Sequence, residues 1–157
     1  MKTDLHPVIR ALRETTRIKP ADLDFIVEHG SAYHGTPLPE GVNRWPLGEC
    51  IAGAEALSEC GFGRFIYGFA MRSGDRQPFP HAWVTEDDFY ALDPTLPDPR
   101  GNSYWGLDRS HRHRVSEIAV RIFRTATSGG VPVDLLRGGH VQDAFPSVRM
   151  KPFRLTL

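Results

Sequence analysis

The sequence has few cysteines and no long apolar run. Its two cysteines, Cys50 and Cys60, are too few to build a disulfide framework. No stretch is apolar over the length of a membrane span, and the N-terminus lacks the apolar core of a signal peptide. We therefore expect free thiols, a reducing cytoplasmic location and no membrane partner.

The sequence also lacks an excess of charge of either sign. Nineteen Lys and Arg residues balance nineteen Asp and Glu residues, so no global field attracts nucleic acid or an anionic membrane. It contains neither a phosphate-binding glycine loop nor a G-x-S-x-G nucleophile motif. These absences weigh against a nucleic-acid-binding protein and against the enzyme classes that those motifs define.

The length and composition are typical of one globular domain. With 157 residues, of which 40% are hydrophobic and 24% charged, the chain can bury a core without staples. No repeat, low-complexity stretch or domain boundary interrupts it. We expect a single domain over 1–157, with a helical N-terminal part at 1–40, a core at 48–108, and a helix and edge strand within 109–157.

Proline and glycine divide the first half of the chain. The first forty residues predict two short helices, the second of which starts at Pro20 and ends at His29-Gly30. The segment Gly35–Gly48 holds three prolines and three glycines and is predicted to be loop. Small and apolar residues then predict a buried helix over Glu49–Glu59, stopped at Gly61.

Strand-like runs follow this helix. We expect an α+β fold in which the helix packs on a small, mainly antiparallel sheet of residues 64–72, 80–86 and 88–93. A further short strand at Tyr104–Leu107 is one interpretation of the next segment. The pattern predicts a helix over Val115–Arg124, and an edge strand over Val148–Leu157 that Pro152 keeps off the sheet centre.

The second and third predicted strands bring a histidine and an aspartate together. If Glu86-Asp87-Asp88 is a three-residue hairpin loop, Thr85 faces Phe89 and His81 faces Asp93. Directly opposed residues have Cβ atoms about 4.5–5.5 Å apart on the same face. Such a pair can act as a general base, because the carboxylate holds the tautomer and supports the imidazolium.

Cys50 is the candidate nucleophile for this base. It lies at the predicted start of a helix, where the dipole favours a thiolate and free N–H groups can bind an oxyanion. Cys60 lies at the opposite end of that helix, where the dipole disfavours a thiolate. The adjacent carboxylate of Glu49 opposes thiolate formation unless it points away.

These elements resemble transglutaminase-like members of the papain-like cysteine hydrolase superfamily, in particular small bacterial and phage members. The likeness rests on Gly48-Glu49-Cys50 opening a helix, on Pro80-His81-Ala82-Trp83-Val84 and on Leu92-Asp93-Pro94-Thr95, within about 48–104. It implies the core fold of that superfamily, with Cys50 as nucleophile, His81 as base and Asp93 as orienting group. Superfamily members include proteases, amide hydrolases, transglutaminases and arylamine N-acetyltransferases.

Further site residues are expected around the triad. The papain-like pattern places a glutamine before the cysteine, and Asn43 is the nearest comparable amide here, so it is the candidate oxyanion donor. Trp45 and Trp83 are candidates for substrate binding, although core packing is the alternative for such aromatics. A zinc site is not expected, because the spacing of Cys50 and Cys60 fits no usual ligand pattern.

The function expected from the sequence is cysteine-dependent acyl transfer on an amide or ester. A peptidase or a protein or peptide amidase is the first interpretation, acting on a peptide, a protein or a small amide or ester, without metal or cofactor. Transfer to an amine acceptor is the second. A binding domain that keeps the fold without turnover is the third. The oligomeric state is not readable from the residues.

Overall fold

The computed structural model describes residues 5–126, and the predicted strand Val148–Leu157 lies outside them. Helices and strands together make an α+β fold, as expected. In chain order the elements are α1 (Pro7–Thr15), α2 (Pro20–His29), β1 (Gly30–Thr36), α3 (Cys50–Glu59), β2 (Arg64–Met71), β3 (Phe79–Thr85), β4 (Tyr90–Leu92), β5 (Ser103–Asp108) and α4 (Arg112–Ala126).

The five strands close into a barrel in the order β1-β4-β3-β2-β5. Neighbouring strands run antiparallel except β1 and β4, which are parallel. The expected sheet of residues 64–72, 80–86 and 88–93 is therefore only part of the structure. β5 pairs with both β1 and β2, and this double pairing closes the barrel.

The expectation that residues 1–40 are a helical preamble is wrong after His29. β1 follows α2 directly and pairs with β5 from Gly30 to His34. Its burial alternates only weakly, with Tyr33 and Gly35 buried among exposed or half-buried neighbours. Pairing with strands far away in sequence, rather than local pattern, makes this segment a strand.

The pairing of β3 with β4 confirms the predicted hairpin but not its register. Val84 pairs with Leu92, which places Asp93 opposite Trp83 and makes His81 a diagonal neighbour. The predicted direct opposition of His81 and Asp93 is therefore wrong by two residues. Because side chains alternate with a period of two, this shift leaves both residues on the same face.

Side chains in the connecting loop explain the shift. The Thr85 hydroxyl accepts the Asp88 N–H at 3.0 Å, and Asp87 Oδ1 accepts the N–H groups of Phe89 and Tyr90 at 2.9 Å each. Asp88 adopts a φ of 64°. These bonds stabilise the connection over 86–89, so that Ala91 rather than Phe89 lies opposite Thr85.

The helices pack on the outside of the barrel. α1 begins at Pro7, where His6 Nδ1 accepts the Val8 N–H at 3.2 Å. α4 includes the predicted helix Val115–Arg124 and buries one apolar face against β2 and β5. No helix within 5–126 is long and apolar enough to cross a membrane.

The buried side chains form two clusters on opposite faces of the strands. Phe65, Tyr67 and Phe69 of β2 point to the helices, whereas Ile66 and Ala70 point into the barrel. Every strand contributes to the second cluster, which therefore fills the barrel interior. Its members are Tyr33, Ile66, Ala70, Trp83, Ala91, Leu96 and Tyr104.

Candidate functional site

Cys50 is the first residue of α3, as predicted, and its side chain is buried. The Gly48 φ of 92° turns the chain into the helix, and the Glu49 carbonyl accepts the Gly53 N–H at 2.9 Å. Cys60 is the C-cap of the same helix and is exposed. The two thiols therefore occupy opposite ends of one helix dipole.

His81 and Asp93 form a buried pair at the end of the barrel where β3 begins and β4 ends. His81 Nε2 lies 2.9 Å from Asp93 Oδ2, and the two side chains are 4% and 0% exposed. The diagonal register suffices, because both side chains reach across the space between the strands. The pairing expected from the sequence is present in the structure.

Asp93 accepts four hydrogen bonds. Its Oδ1 takes the backbone N–H groups of Thr95 and Leu96 at 2.9 and 3.0 Å. Its Oδ2 takes His81 and also the Tyr104 hydroxyl, at 2.7 Å. One oxygen thus fixes the turn after β4, and the other holds the imidazole. The turn-forming and site-forming roles of Asp93 are compatible because they use different oxygens.

The charges of this pair stabilise each other. Burial alone lowers the pKa of His81, but the charges of Asp93 and Cys50, with hydrogen bonds to both, raise it to about 10. Burial alone raises the pKa of Asp93, but the charge and hydrogen bond of His81 and the hydrogen bonds of Tyr104 and Leu96 hold it below its ordinary value. His81 is therefore an imidazolium, and Asp93 a carboxylate, at neutral pH.

Cys50 joins the pair through His81. The Cys50 side chain lies beside the His81 ring, close enough to raise the pKa of His81. Because Nε2 contacts Asp93, Nδ1 is the ring nitrogen left for the thiol. The hydroxyl of Tyr67 also lies within electrostatic range of Cys50: burial and then the charge of Cys50 raise its pKa. Cys50, His81 and Asp93, which lie far apart in sequence, therefore form one connected group.

Trp45, in the loop before α3, packs in the same buried cluster as Cys50. It is buried, and its backbone N–H donates to the Pro94 carbonyl at 2.8 Å. A Cβ atom on Gly53 would lie 2.7 Å from the Pro94 Cβ and 3.1 Å from the Trp45 ring. The absence of a side chain at Gly53 thus lets α3, Trp45 and Pro94 pack together one turn after Cys50.

The other two predicted site residues lie elsewhere. Asn43 is exposed on the loop and takes no part in the hydrogen bonds of His81, Asp93 and Tyr104. Trp83 is fully buried in the barrel interior, where its ring contacts those of Tyr33 and Tyr104. The expectation that Trp83 lines a substrate cleft is therefore wrong, because the interior of the barrel is packed.

Two functional candidates were missed from the sequence, Tyr67 and Tyr104. The sequence suggests strands for both, but alternation alone does not tell which tyrosine hydroxyl meets a charged partner. Tyr104 reaches Asp93 only because β5 lies beside β2 across the closed barrel. The sequence feature that points to Tyr104 is a hydroxyl-bearing ring at a strand position where apolar residues are usual.

An open cleft lies at the same end of the barrel as His81 and Asp93. Its volume is about 420 Å³, and its lining comes from segments after β1 and β2 and before β5. None of Cys50, His81 and Asp93 lines it, but Asn102 does. The other lining residues include Pro37, Arg72, Pro97 and Arg100.

No cluster of three or more His, Cys, Asp or Glu side chains able to hold a metal ion occurs in the described part of the chain. Comparison with protein-family models, with curated proteins and with solved structures finds no match to this chain. Any assignment of function therefore depends on the residues and geometry of the site.

Proposed function

We propose that the protein is a cysteine hydrolase or acyltransferase that uses Cys50, His81 and Asp93 on an amide or ester. The observation that carries this proposal is the buried thiol at a helix start, beside a histidine that a buried aspartate holds through its Nε2 atom. This arrangement supports a transglutaminase-like or papain-like core, with the helix-borne cysteine against strand-borne partners.

The resting state in this mechanism is an ion pair. His81 holds a proton at neutral pH, and an imidazolium beside the sulfur, together with the helix N-terminus, favours the thiolate of Cys50. Asp93 keeps Nε2 engaged, so the proton that takes part in the reaction is the one on Nδ1. His81 therefore acts first as an acid in this site.

Acyl transfer then takes place in two steps. The Cys50 thiolate attacks the carbonyl carbon and forms a C–S bond; the tetrahedral adduct collapses, the C–N or C–O bond breaks, and the leaving group takes the His81 proton. Neutral His81 next removes a proton from water or an amine, which attacks the thioester. Breaking the C–S bond restores the thiolate and the imidazolium.

The oxyanion is assigned to backbone donors. The N–H groups of Cys50 and Ile51 lie at the start of α3, beside the thiol and at the positive end of the helix dipole. The exposed position of Asn43 makes it a poor donor for a charge that develops at the buried sulfur. Backbone N–H groups aimed at the developing charge can stabilise it without a side chain.

A peptide or protein amide, or a small amide or ester, is the proposed substrate class, with water as first choice of acceptor and an amine as second. The burial of Cys50 favours one further candidate, a binding domain that keeps the fold without turnover. Both cysteines are free, which suits the reducing, cytoplasmic location inferred from the sequence.

Alkylation of the full-length protein with iodoacetamide at pH 7, followed by peptide mass spectrometry, tests the proposal. Although Cys50 is buried and Cys60 exposed, we expect Cys50 to react at least about tenfold faster, because an ordinary thiol is only a few per cent thiolate at this pH. His81→Ala should remove this advantage and leave Cys60 unchanged.

The matched control is His113→Ala, which removes a histidine whose side chain is 92% exposed on α4. It should leave both labelling rates unchanged. Labelling of Cys50 more slowly than Cys60, without response to His81→Ala, would overturn the enzyme proposal and favour the binding domain.

A further inference from the structure

The Asp93 carboxylate is held by a second side chain besides His81. The Tyr104 hydroxyl lies 2.7 Å from Asp93 Oδ2, the same oxygen that His81 Nε2 contacts. Tyr104 is fully buried, so its hydroxyl is shielded from bulk solvent. Because an ionised carboxylate only accepts hydrogen bonds, the hydroxyl must donate its proton to Asp93.

A third residue fixes the direction of this bond. Asn102 Nδ2 lies 3.2 Å from the Tyr104 hydroxyl oxygen, and an amide N–H can only donate. The Tyr104 oxygen therefore accepts a hydrogen bond from Asn102, and the Tyr104 O–H group donates to Asp93. The hydroxyl proton thus points towards Asp93. Chains of hydrogen bonds of this kind polarise each other.

We propose that Tyr104 is a positioning residue that holds the Asp93 carboxylate ionised and in place against His81, with Asn102 directing its hydroxyl. This inference rests on the proposed function for its consequence, the support of the His81–Cys50 pair. Asp93 Oδ1 is already fixed by Thr95 and Leu96, so Tyr104 controls the oxygen that faces the imidazole.

The arrangement predicts how Asp93 responds to acid pH. The titratable groups that face Asp93 are His81 from β3 and Tyr104 from β5, and Cys50 from α3 meets the other side of His81. A hydrogen bond to an ion stabilises the ionised form, so its loss lets Asp93 take a proton at higher pH. His81 then loses its counter-ion, and Cys50 loses the imidazolium.

The experiment follows the ring signals of His81 by NMR during an acid titration of the full-length protein, within the pH range where near-UV circular dichroism stays native. In Tyr104→Phe we expect the acid transition to move up by about one pH unit. Asn102→Ala should move it in the same direction by less. The fall in the Cys50 alkylation rate at acid pH should shift by the same amount as the His81 transition.

Tyr33→Phe is the matched control, because the Tyr33 ring packs in the same interior cluster and contacts Trp83, whereas its hydroxyl lies near Arg64 and not near Asp93. It should leave the transition in place. An unmoved transition in Tyr104→Phe, or an equal shift in Tyr33→Phe, overturns the inference. If Tyr104→Phe does not fold, Asn102→Ala decides, since it keeps the ring.

The two proposals fail in different ways. If Cys50 is unreactive in the wild-type protein, the proposed function fails, while the His81 titration still tests the link from Tyr104 to Asp93. If Cys50 is reactive but the titration of His81 ignores Tyr104, only the positioning role fails.

Discussion

The two ends of α3 carry the same residue type in opposite surroundings. Cys50 at the N-terminal end is buried against a histidine that is itself paired with a buried aspartate. Cys60 at the C-terminal end is exposed and next to Gly61, which has the left-handed backbone that ends many helices. The same helix therefore carries one thiol beside a buried histidine–aspartate pair and a second thiol at an exposed helix end.

The difference lies in what the barrel supplies. At the Cys50 end, His81 of β3, Asp93 just after β4 and Tyr104 of β5 form one network. At the Cys60 end, the cap is made of backbone bonds alone: the Cys60 and Gly61 N–H groups donate to the Ala56 and Ser58 carbonyls. The position of Cys50 at the helix N-terminus favours its thiolate, and the strands add His81, which carries the proton.

Removal of the aspartate should have the largest effect on stability. Asp93→Ala leaves the His81 charge buried without its partner, and we expect a loss of about 3–5 kcal/mol in the free energy of unfolding. Urea denaturation measures this loss. The control is Glu55→Ala in the middle of α3, which breaks the half-exposed ion pair of Glu55 with Arg112 of α4. It should lower the free energy of unfolding by no more than about 1 kcal/mol. Equal losses would contradict the picture of a buried charge pair.

The dependence of stability on pH is the next largest effect. His81 has a pKa of about 10 in the fold against 6.5 unfolded, so its contribution is full below pH 6.5 and is lost as the pH rises to about 10. Asp93 has a pKa below its ordinary 3.8, so its contribution is lost as the pH falls below 3.8.

Urea unfolding of the wild type and of His81→Ala across this pH range should therefore differ most between about pH 4 and 6.5. The difference should shrink towards pH 10. A difference that grows from pH 7 to pH 10 would contradict the assignment of a protonated His81 in the fold.

Replacement of glycine by alanine should destabilise the protein for different reasons near the two ends of α3. Gly53→Ala places a Cβ atom 2.7 Å from Pro94 and should cost about 1–3 kcal/mol, although alanine normally favours a helix. Gly61→Ala meets no atom within 4 Å but has a φ of 87°, and should cost about 1 kcal/mol. Only Gly53→Ala should slow alkylation of Cys50, as followed by mass spectrometry.

Cys60→Ser should have the smallest effect. The side chain is exposed, and we expect a change within about 0.5 kcal/mol in the free energy of unfolding. Alkylation of Cys50 should keep its rate. A marked loss of either would show that the C-terminal end of α3 contributes to the site.

Local pattern was enough to predict the parts of the site that depend on one element. The start of α3 at Cys50 and the shared face of His81 and Asp93 follow from helix signals and from alternation in a hairpin. The register was wrong by two residues because the side chains of Thr85 and Asp87 stabilise a longer loop.

Features that depend on distant pairing were not predictable in this way. β1 has few apolar residues and two glycines, and becomes a strand through its contacts with β4 and β5. Closure of the barrel makes Trp83 an interior residue and brings Tyr104 to Asp93. Such contacts join segments whose separation in sequence a short window cannot span.

The parallel pairing of β1 with β4 has a consequence for the order of folding. His34 pairs with Tyr90, and Gly30 pairs with Leu107, so the ends of a long chain segment must meet before the barrel closes. Contacts of high sequence separation form slowly, because the loss of loop entropy precedes the gain. The β2–β3 pair is local and can form early. The contact of Asp93 with Tyr104 must wait for β5, so during synthesis the complete site is assembled only after residue 108 has left the ribosome.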